Sequence, residues 1–342
     1  MSERELIMDE FEKVLNSDKE VSYKEITSLL YLVKCNNIDV VDVYNRLLCC
    51  NNTCNSMLDY IDYCSSEYKY LIYDNVDNIL KLKNIRLFKL KSLCKDNQDL
   101  CNKISKKIES SPRKYIIDLI KEKYFNYLSN SEKNRIKDSN EFNTILDVVY
   151  LIIEDIARNE KVPLSSFSIV GGGSYSAVFG LGDKIIKIGK DRGVKSFNNN
   201  PYVVSTLLRK SFPINDKLSL VIEVNEKVDT KSYVSDEEMY QLYKKLRDIG
   251  LVWTDIYKGN VGRLLKDNVI DWRFDLKPSD KVLGLDKYRG TEILRKGDIV
   301  ILDCDYIFDE NNIPKEITSD FRYAEDLFAE RYEKEKKASK RR

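Results

Sequence analysis

Four short segments in the second half of the chain combine residue types and spacings suited to handling phosphate. Val170-Gly171-Gly172-Gly173-Ser174-Tyr175-Ser176-Ala177-Val178 sets three glycines between two runs with strand character. With no Cβ in the way, backbone N–H groups of such a loop can approach a polyphosphate. A glycine-rich hairpin without a ligand fits the same residues, and the loop lacks the spacing and following helix of a Walker A motif. Lys187 emerges next from the apolar run Lys184-Ile185-Ile186-Lys187-Ile188, placed to neutralise phosphate charge unless it merely faces water from a strand. Trp253-Thr254-Asp255-Ile256-Tyr257-Lys258-Gly259-Asn260 holds a carboxylate and an amide five residues apart. Lys258 reads equally as a contact to a transferring phosphate or as a solvated loop lysine. Ile299-Val300-Ile301-Leu302 is an apolar run that ends in Asp303-Cys304-Asp305.

The chemistry available is narrowed by what the chain lacks. It contains no histidine, which excludes Ser-His-Asp and Cys-His catalysis, H-E-x-x-H zinc sites and Cys/His zinc fingers. Acid–base work must fall to Asp, Glu, Lys, Tyr or Cys. Seven of the eight cysteines lie within the first 101 residues and none forms a C-x-x-C pair, so reduced thiols of a cytoplasmic protein are expected rather than a zinc site or a disulfide framework. Met1–Glu10 is acidic and has no apolar stretch of a secretory leader. No apolar run reaches the roughly 20 residues that span a bilayer, so no membrane partner is expected. Lys plus Arg is 57 and Asp plus Glu is 56, a net charge of +1. That balance argues against a nucleic-acid coat. The basic stretch Ile79–Lys95, with Lys81, Lys83, Arg86, Lys89 and Lys91, reads first as a solvated helix face and second as a contact for an acidic partner or a phosphate backbone.

The elements that position these segments follow from periodicity. With 342 residues the chain is long enough for about two domains. Residues 1–162 read as an α-helical domain. Ser22 and Glu25 form a capping box ahead of Ile26, Leu29, Leu30 and Val33. Ser111 caps a helix with Pro112 at its first position. A long stripe from Phe142 through Ile145, Leu146, Val149, Ile152, Ile153 and Ile156 predicts a third helix from Asn140. After Val162-Pro163 the texture changes. Phe167–Val170, Ala177–Phe179 and Ile185–Ile188 read as strands, the last two joined by a turn at Gly180–Asp183. Pro201–Phe212 reads as a helix capped by Asn200, Leu218–Val224 as a strand, and Ser235 with Glu238 as a capping box for a helix closed by Gly250. Ile299–Leu302 reads as a buried strand and Ala324–Arg342 as a basic C-terminal helix.

Taken together, the four segments resemble the protein-kinase-like superfamily, either bacterial-type Ser/Thr kinases or aminoglycoside- and choline-kinase-like phosphotransferases, over about Leu164–Asp309. Gly171 and Gly173 match the first two positions of the glycine-rich loop, and Ser176 stands at the third. Lys187 matches the V-A-I-K lysine, Asp255 and Asn260 match H-R-D-x-x-x-x-N, and Asp303 matches the Asp of D-F-G. The resemblance implies an α+β, two-lobe fold with a reduced C-lobe behind an all-α N-terminal domain. The kinase-like domain would be 163–342, with an N-lobe at about 163–226, a C-lobe at about 227–323 and a basic helix at 324–342. It implies ATP and Mg²⁺ as cofactors. The nucleotide would lie against Gly171, Gly173, Ser174, Tyr175, Ser176, Val178, Lys187 and Glu223, the last in Glu223-Val224-Asn225-Glu226, which falls at the end of a strand where kinases place the hinge that holds adenine through backbone groups. Lys187 and Lys258 would contact phosphates, Asp255 would orient or deprotonate the acceptor hydroxyl, and Asn260 and Asp303 would hold Mg²⁺.

The chain departs from the pattern in four places. No acid sits on the helix expected after Lys187, so Glu154 or Asp155 is the candidate partner for its ammonium. Arg263–Gly297 looks like an insertion. The Phe and Gly of D-F-G are absent, and little chain remains for a full C-lobe. The expected activity is transfer of the ATP γ-phosphate to a hydroxyl, first of a protein Ser/Thr, second of a small molecule. A pseudokinase acting as a nucleotide-binding or interaction module is the rival, with the N-terminal helices as the surface for a partner protein.

Overall fold

The structure is a computed structural model that describes residues 2–64, 66–173, 175–191, 202–204, 206–267, 294–302, 307–309 and 321–339. It is mixed helix and sheet, helical first and sheet-rich later. Two compact units divide between Val170 and Gly171, eight residues beyond the change in sequence texture. Residues 163–170 stay with the helices for identifiable reasons. The Tyr115 hydroxyl donates to the Phe167 carbonyl at 2.9 Å, the Ser165 N–H donates to Glu109, and Phe167 is fully buried.

The first unit holds ten helices among the described residues. Three begin with reciprocal capping boxes, Ser2/Glu5, Ser22/Glu25 and Ser129/Glu132. Each box satisfies N–H groups that the first turn leaves without a helical partner. The helix from Ser111–Pro112 forms as expected, but the Ser111 side chain makes no capping bond. The long helix Asn140–Glu160 buries Phe142, Ile145, Leu146, Val149, Tyr150, Ile153 and Ala157 on one stripe. No described helix is long and apolar enough to cross a membrane. The basic stretch Ile79–Lys95 is not one helix, since a turn separates Lys69–Ile79 from Leu87–Leu93. Lys81 and Lys83 are exposed, while three other charges of the stretch have protein partners. Arg86 bonds Asp59 at 2.6 Å, Lys89 pairs with Asp62, and Lys91 donates to the Ser165 carbonyl. Cys35, Cys49, Cys50, Cys54, Cys94 and Cys101 are free thiols. Burial pushes the Cys94 thiol up to about 12 and the Cys54 thiol higher still, which keeps both protonated and unreactive.

The second unit is built on a five-stranded sheet in the order β1-β2-β3-β5-β4. Its strands are β1 (Ser168–Gly172, which crosses the division), β2 (Ser176–Leu181), β3 (Lys184–Lys190), β4 (Thr206–Asn215) and β5 (Leu218–Glu226). The three expected strands and the Gly182 turn, at φ +59°, are in place. The helix expected over Pro201–Phe212 is not there: Val203 forms a parallel bridge with Ile301, and from Thr206 onward the chain is the edge strand β4. Pairing with β5 runs from Thr206 opposite Asn225 to Asn215 opposite Leu218, and the Asn215 side chain closes the hairpin on the Lys217 N–H. An edge position tolerates Pro213, which has no N–H for an inner ladder, and the long-range ladder overrides the local helical spacing of Leu207, Leu208 and Phe212.

A single residue, Lys227, links β5 to a second layer. There β6 (Val228–Asp229), β8 (Val261–Leu264) and β9 (Ile299–Ile301) form one small sheet, and β7 (Leu251–Trp253) pairs with β10 (Ile307–Asp309). Helix α11 (Asp236–Asp248), introduced by the expected Ser235/Glu238 box, and α12 (Phe321–Ser339) flank this layer. Met239, Leu242, Leu246, Trp253, Val300 and Ile301 fill its core. Tyr240 on α11 stacks on Tyr332 of α12 at 4.4 Å.

The box that starts α11 is tied to the loop-flanking strand β8. Arg263 grips both oxygens of Glu238, at 2.8 and 3.0 Å. The guanidinium, aided by the Ser235 N–H, holds the Glu238 carboxyl down at about 2, below its ordinary 4.5. A depressed carboxyl adds stability above its unfolded value and loses it as pH falls toward the folded one. Glu238→Gln should therefore lower the melting temperature at pH 7 and flatten its fall between about pH 4.5 and 2. Thermal melts across that range check this; an unchanged acid limb would contradict it.

Candidate functional site

The chain flanking the expected catalytic loop is fixed by crossed pairings. Segment 254–260 lies between β7 and β8, and segment 302–306 between β9 and β10. Because β8 pairs with β9 and β7 with β10, the ends of both segments are brought side by side. Within the first, the Asn260 amide donates to Asp255 Oδ2 at 2.7 Å and to the Asp255 carbonyl at 3.2 Å. A 3₁₀ turn over Lys258–Asn260 sets that geometry. The Leu302 N–H donates to the Asn260 carbonyl at 2.8 Å. On the sheet side, the Lys187 ammonium donates to the Leu302 carbonyl at 2.6 Å. A hydrogen-bonded path thus runs Lys187–Leu302–Asn260–Asp255 and joins three of the four sequence segments. Asp303 and Asp305 lie outside the described residues, as does Ser174.

The glycine loop connects β1 to β2. The Gly173 N–H donates to the Ser176 carbonyl at 2.9 Å. A Cβ at Gly173 would meet nothing within 4 Å, and one at Gly171 would meet only Val178 Cβ at 4.0 Å. The space beside this backbone is therefore open, as a phosphate cradle requires. Tyr175 is exposed, while Ser176 and Val178 are half-buried, with Val178 directly opposite Lys187 across β2 and β3. Gly189 is a sterically constrained position that sequence inspection missed. A Cβ there would lie 2.2 Å from the Tyr175 carbonyl oxygen and 2.6 Å from Ser176 Cβ. Only glycine lets β3 approach the loop closely enough for the Lys190 N–H to bond Tyr175 at 3.0 Å.

Three of the residues singled out in the sequence stand in surroundings other than those expected. Glu223, the first residue of the expected hinge segment, lies mid-ladder, opposite Lys187 on β3 and Arg209 on β4. Its side chain, 6% exposed, receives Arg209 at 2.7 Å on Oε2 and faces the Lys187 ammonium at 3.7 Å on Oε1. That carboxylate stands where Glu154 or Asp155 was expected. Glu154 instead takes the Tyr150 hydroxyl at 2.9 Å, and Asp155 pairs with Arg158. Lys258 is drawn toward α11, its ammonium 2.9 Å from Asp236 and over the Tyr233 ring. It is not joined to the Lys187–Asp255 path. The supposed insertion is also narrower than 263–297, since Arg263 and Leu264 belong to β8. Asp267 bonds Arg295 at 3.0 Å and the Lys296 N–H at 2.8 Å, drawing the two ends together; residues 268–293 between them are outside the described set.

Arg209 is a further residue that sequence reading did not single out, and Asn225, placed only in the expected hinge segment, makes a contact that the reading did not foresee. Asn225, 1% exposed, donates to Glu223 Oε1 at 2.7 Å, and its own Oδ1 has no hydrogen-bond partner among the described residues. Leaving a buried acceptor unsatisfied costs roughly 1–3 kcal/mol, so the Glu223 contact governs how this amide is turned. Among the described residues no three Cys, Asp or Glu side chains cluster as a metal site. Such a cluster is not required for Mg²⁺, which binds through one or two protein oxygens together with phosphates and water. Asn260 beside Asp255 supplies oxygen ligands of that hard type. No protein-family model matches this chain, and no curated protein does.

Proposed function

We propose that the second unit is an ATP- and Mg²⁺-dependent phosphotransferase of kinase-like type that moves the γ-phosphoryl group to a hydroxyl, first of all a protein Ser or Thr. The observation that carries this is the path from Lys187 through Leu302 and Asn260 to Asp255, which gathers a cation, an amide and a carboxylate, with Lys187 directly opposite Val178 on the strand that leaves the glycine loop. Lys187 contacts the phosphates. Asp255 orients the acceptor hydroxyl and takes its proton as the new O–P bond forms and the bond to the leaving diphosphate breaks. Asn260 fixes the Asp255 carboxylate and, with Asp303, would hold Mg²⁺. The metal would supply charge neutralisation on the phosphates. Positioning and electrostatics of this sort need no histidine.

A binding module without transfer is the second reading, because the Asp255 carboxylate is already engaged by Asn260. Labelled γ-phosphate separates the two. Incorporation into the chain or an added protein, lost in Asp255→Ala, supports transfer; nucleotide binding with no incorporation under any acceptor supports the module.

A further inference from the structure

We infer that Glu223 is the positioning carboxylate of Lys187, held in the strand ladder, and that Arg209 divides that carboxylate with it. The functional consequence rests on the phosphotransferase reading; the electrostatic arrangement does not.

Lys187, Glu223 and Arg209 stand directly opposite one another on β3, β5 and β4. Directly opposite residues share a face of a sheet, so the order across three strands is cation, anion, cation. The two oxygens are used separately: Oε2 belongs to Arg209 at 2.7 Å, while Oε1 faces Lys187 at 3.7 Å. Asn225 donates to the same Oε1 at 2.7 Å, which fixes the rotation of the carboxylate and keeps that oxygen on the lysine side. A carboxylate this buried must be compensated, and both flanking cations do so. The contact distances show that Arg209 holds the larger share.

A carboxylate carried on a movable helix could be swung away from its lysine. Glu223 cannot, since its strand is paired on both sides. What remains adjustable is how the charge is apportioned. When Arg209 is drawn off, by an anion or by substitution, Oε1 and Oε2 both become available to the ammonium. Lys187 is then fixed more firmly between Glu223 and the Leu302 carbonyl. Arg209 is thereby a regulator of the lysine rather than a second clamp.

The test has a nucleotide-free part and a nucleotide part. Melting temperatures are measured for Lys187→Met, Glu223→Gln and the double variant, without ligand. The double variant should fall short of the summed losses by about 3 °C or more, because the second substitution removes a contact already broken. Additive losses would show that Glu223 serves Arg209 alone and would overturn the inference. Should Glu223→Gln fail to fold, Lys187→Met with Arg209→Met replaces it. That pair should lose more than the sum, since only the double variant leaves Glu223 with neither cation; additivity again overturns the inference.

For the nucleotide part, MgATP is titrated into wild type and variants. Glu223→Gln should weaken binding about tenfold, and Arg209→Met by less than about threefold, since it frees the carboxylate for Lys187. Equal losses in the two variants, or wild-type affinity in Glu223→Gln, would overturn the inference. A wild type that binds no MgATP overturns the phosphotransferase reading instead, and the ligand-free cycle then decides the Glu223 assignment alone.

Discussion

Asp255→Ala should abolish phosphoryl transfer, with a loss of about 10³-fold or more in turnover, while MgATP affinity changes by less than about threefold. The asymmetry follows from where Asp255 lies. It stands at the far end of the path, separated from the Lys187 ammonium by Leu302 and Asn260. Removing its carboxylate takes away the group that meets the acceptor but leaves the glycine loop and Lys187 in place. It also releases the Asn260 amide from its 2.7 Å bond, so some weakening of metal binding accompanies the loss. Turnover and affinity measured on the same preparation separate the two effects. Equal turnover in the variant would remove Asp255 from the chemistry.

Gly189→Val should be the most damaging single substitution in the five-stranded sheet. The first side-chain carbon alone would sit 2.2 Å from a backbone oxygen and 2.7 Å from Ser176 Cα. Neither is the end of a flexible side chain, so β2 or β3 must shift. Overpacking of this kind costs about 3 kcal/mol, and the displaced loop should lose MgATP binding along with stability. Gly173→Ala is the contrasting substitution. Nothing lies within 4 Å of its Cβ, so stability should stay within about 0.5 kcal/mol, while the methyl group intrudes on the space a phosphate would fill and weakens binding. Thermal melts and nucleotide titrations on both variants check the pair. Equal stability loss at the two glycines would contradict the close approach of β3 to the loop.

Much of this arrangement was legible in local sequence. Capping boxes at Ser22/Glu25 and Ser235/Glu238 fix helix starts through contacts three residues apart, which any reader of the chain can see. The β2–β3 hairpin is signalled by Gly182 between two apolar runs. The Asp255–Asn260 contact spans five residues and needs only one turn to form. What escaped notice depends on long-range pairing. Strand β4 was hidden because Leu207, Leu208 and Phe212 also fit a helix, and only its ladder with β5 decides otherwise. Misplacing β4 concealed Arg209, and with it the role of Glu223, whose meaning comes entirely from what stands opposite it. Gly189 carries no local signal of its need, which comes from Tyr175 and Ser176 on a neighbouring strand and loop.

The central claim, a nucleotide site assembled around Lys187, is tested most directly by calorimetric titration of ATP into the purified chain. Runs with and without Mg²⁺, and with Lys187→Met and Asp303→Ala, complete the comparison. Mg²⁺-dependent binding to the wild type, weakened by about tenfold or more in Lys187→Met and stripped of its Mg²⁺ dependence in Asp303→Ala, is the result expected. No binding to the wild type, or equal binding in all three proteins, would contradict the claim.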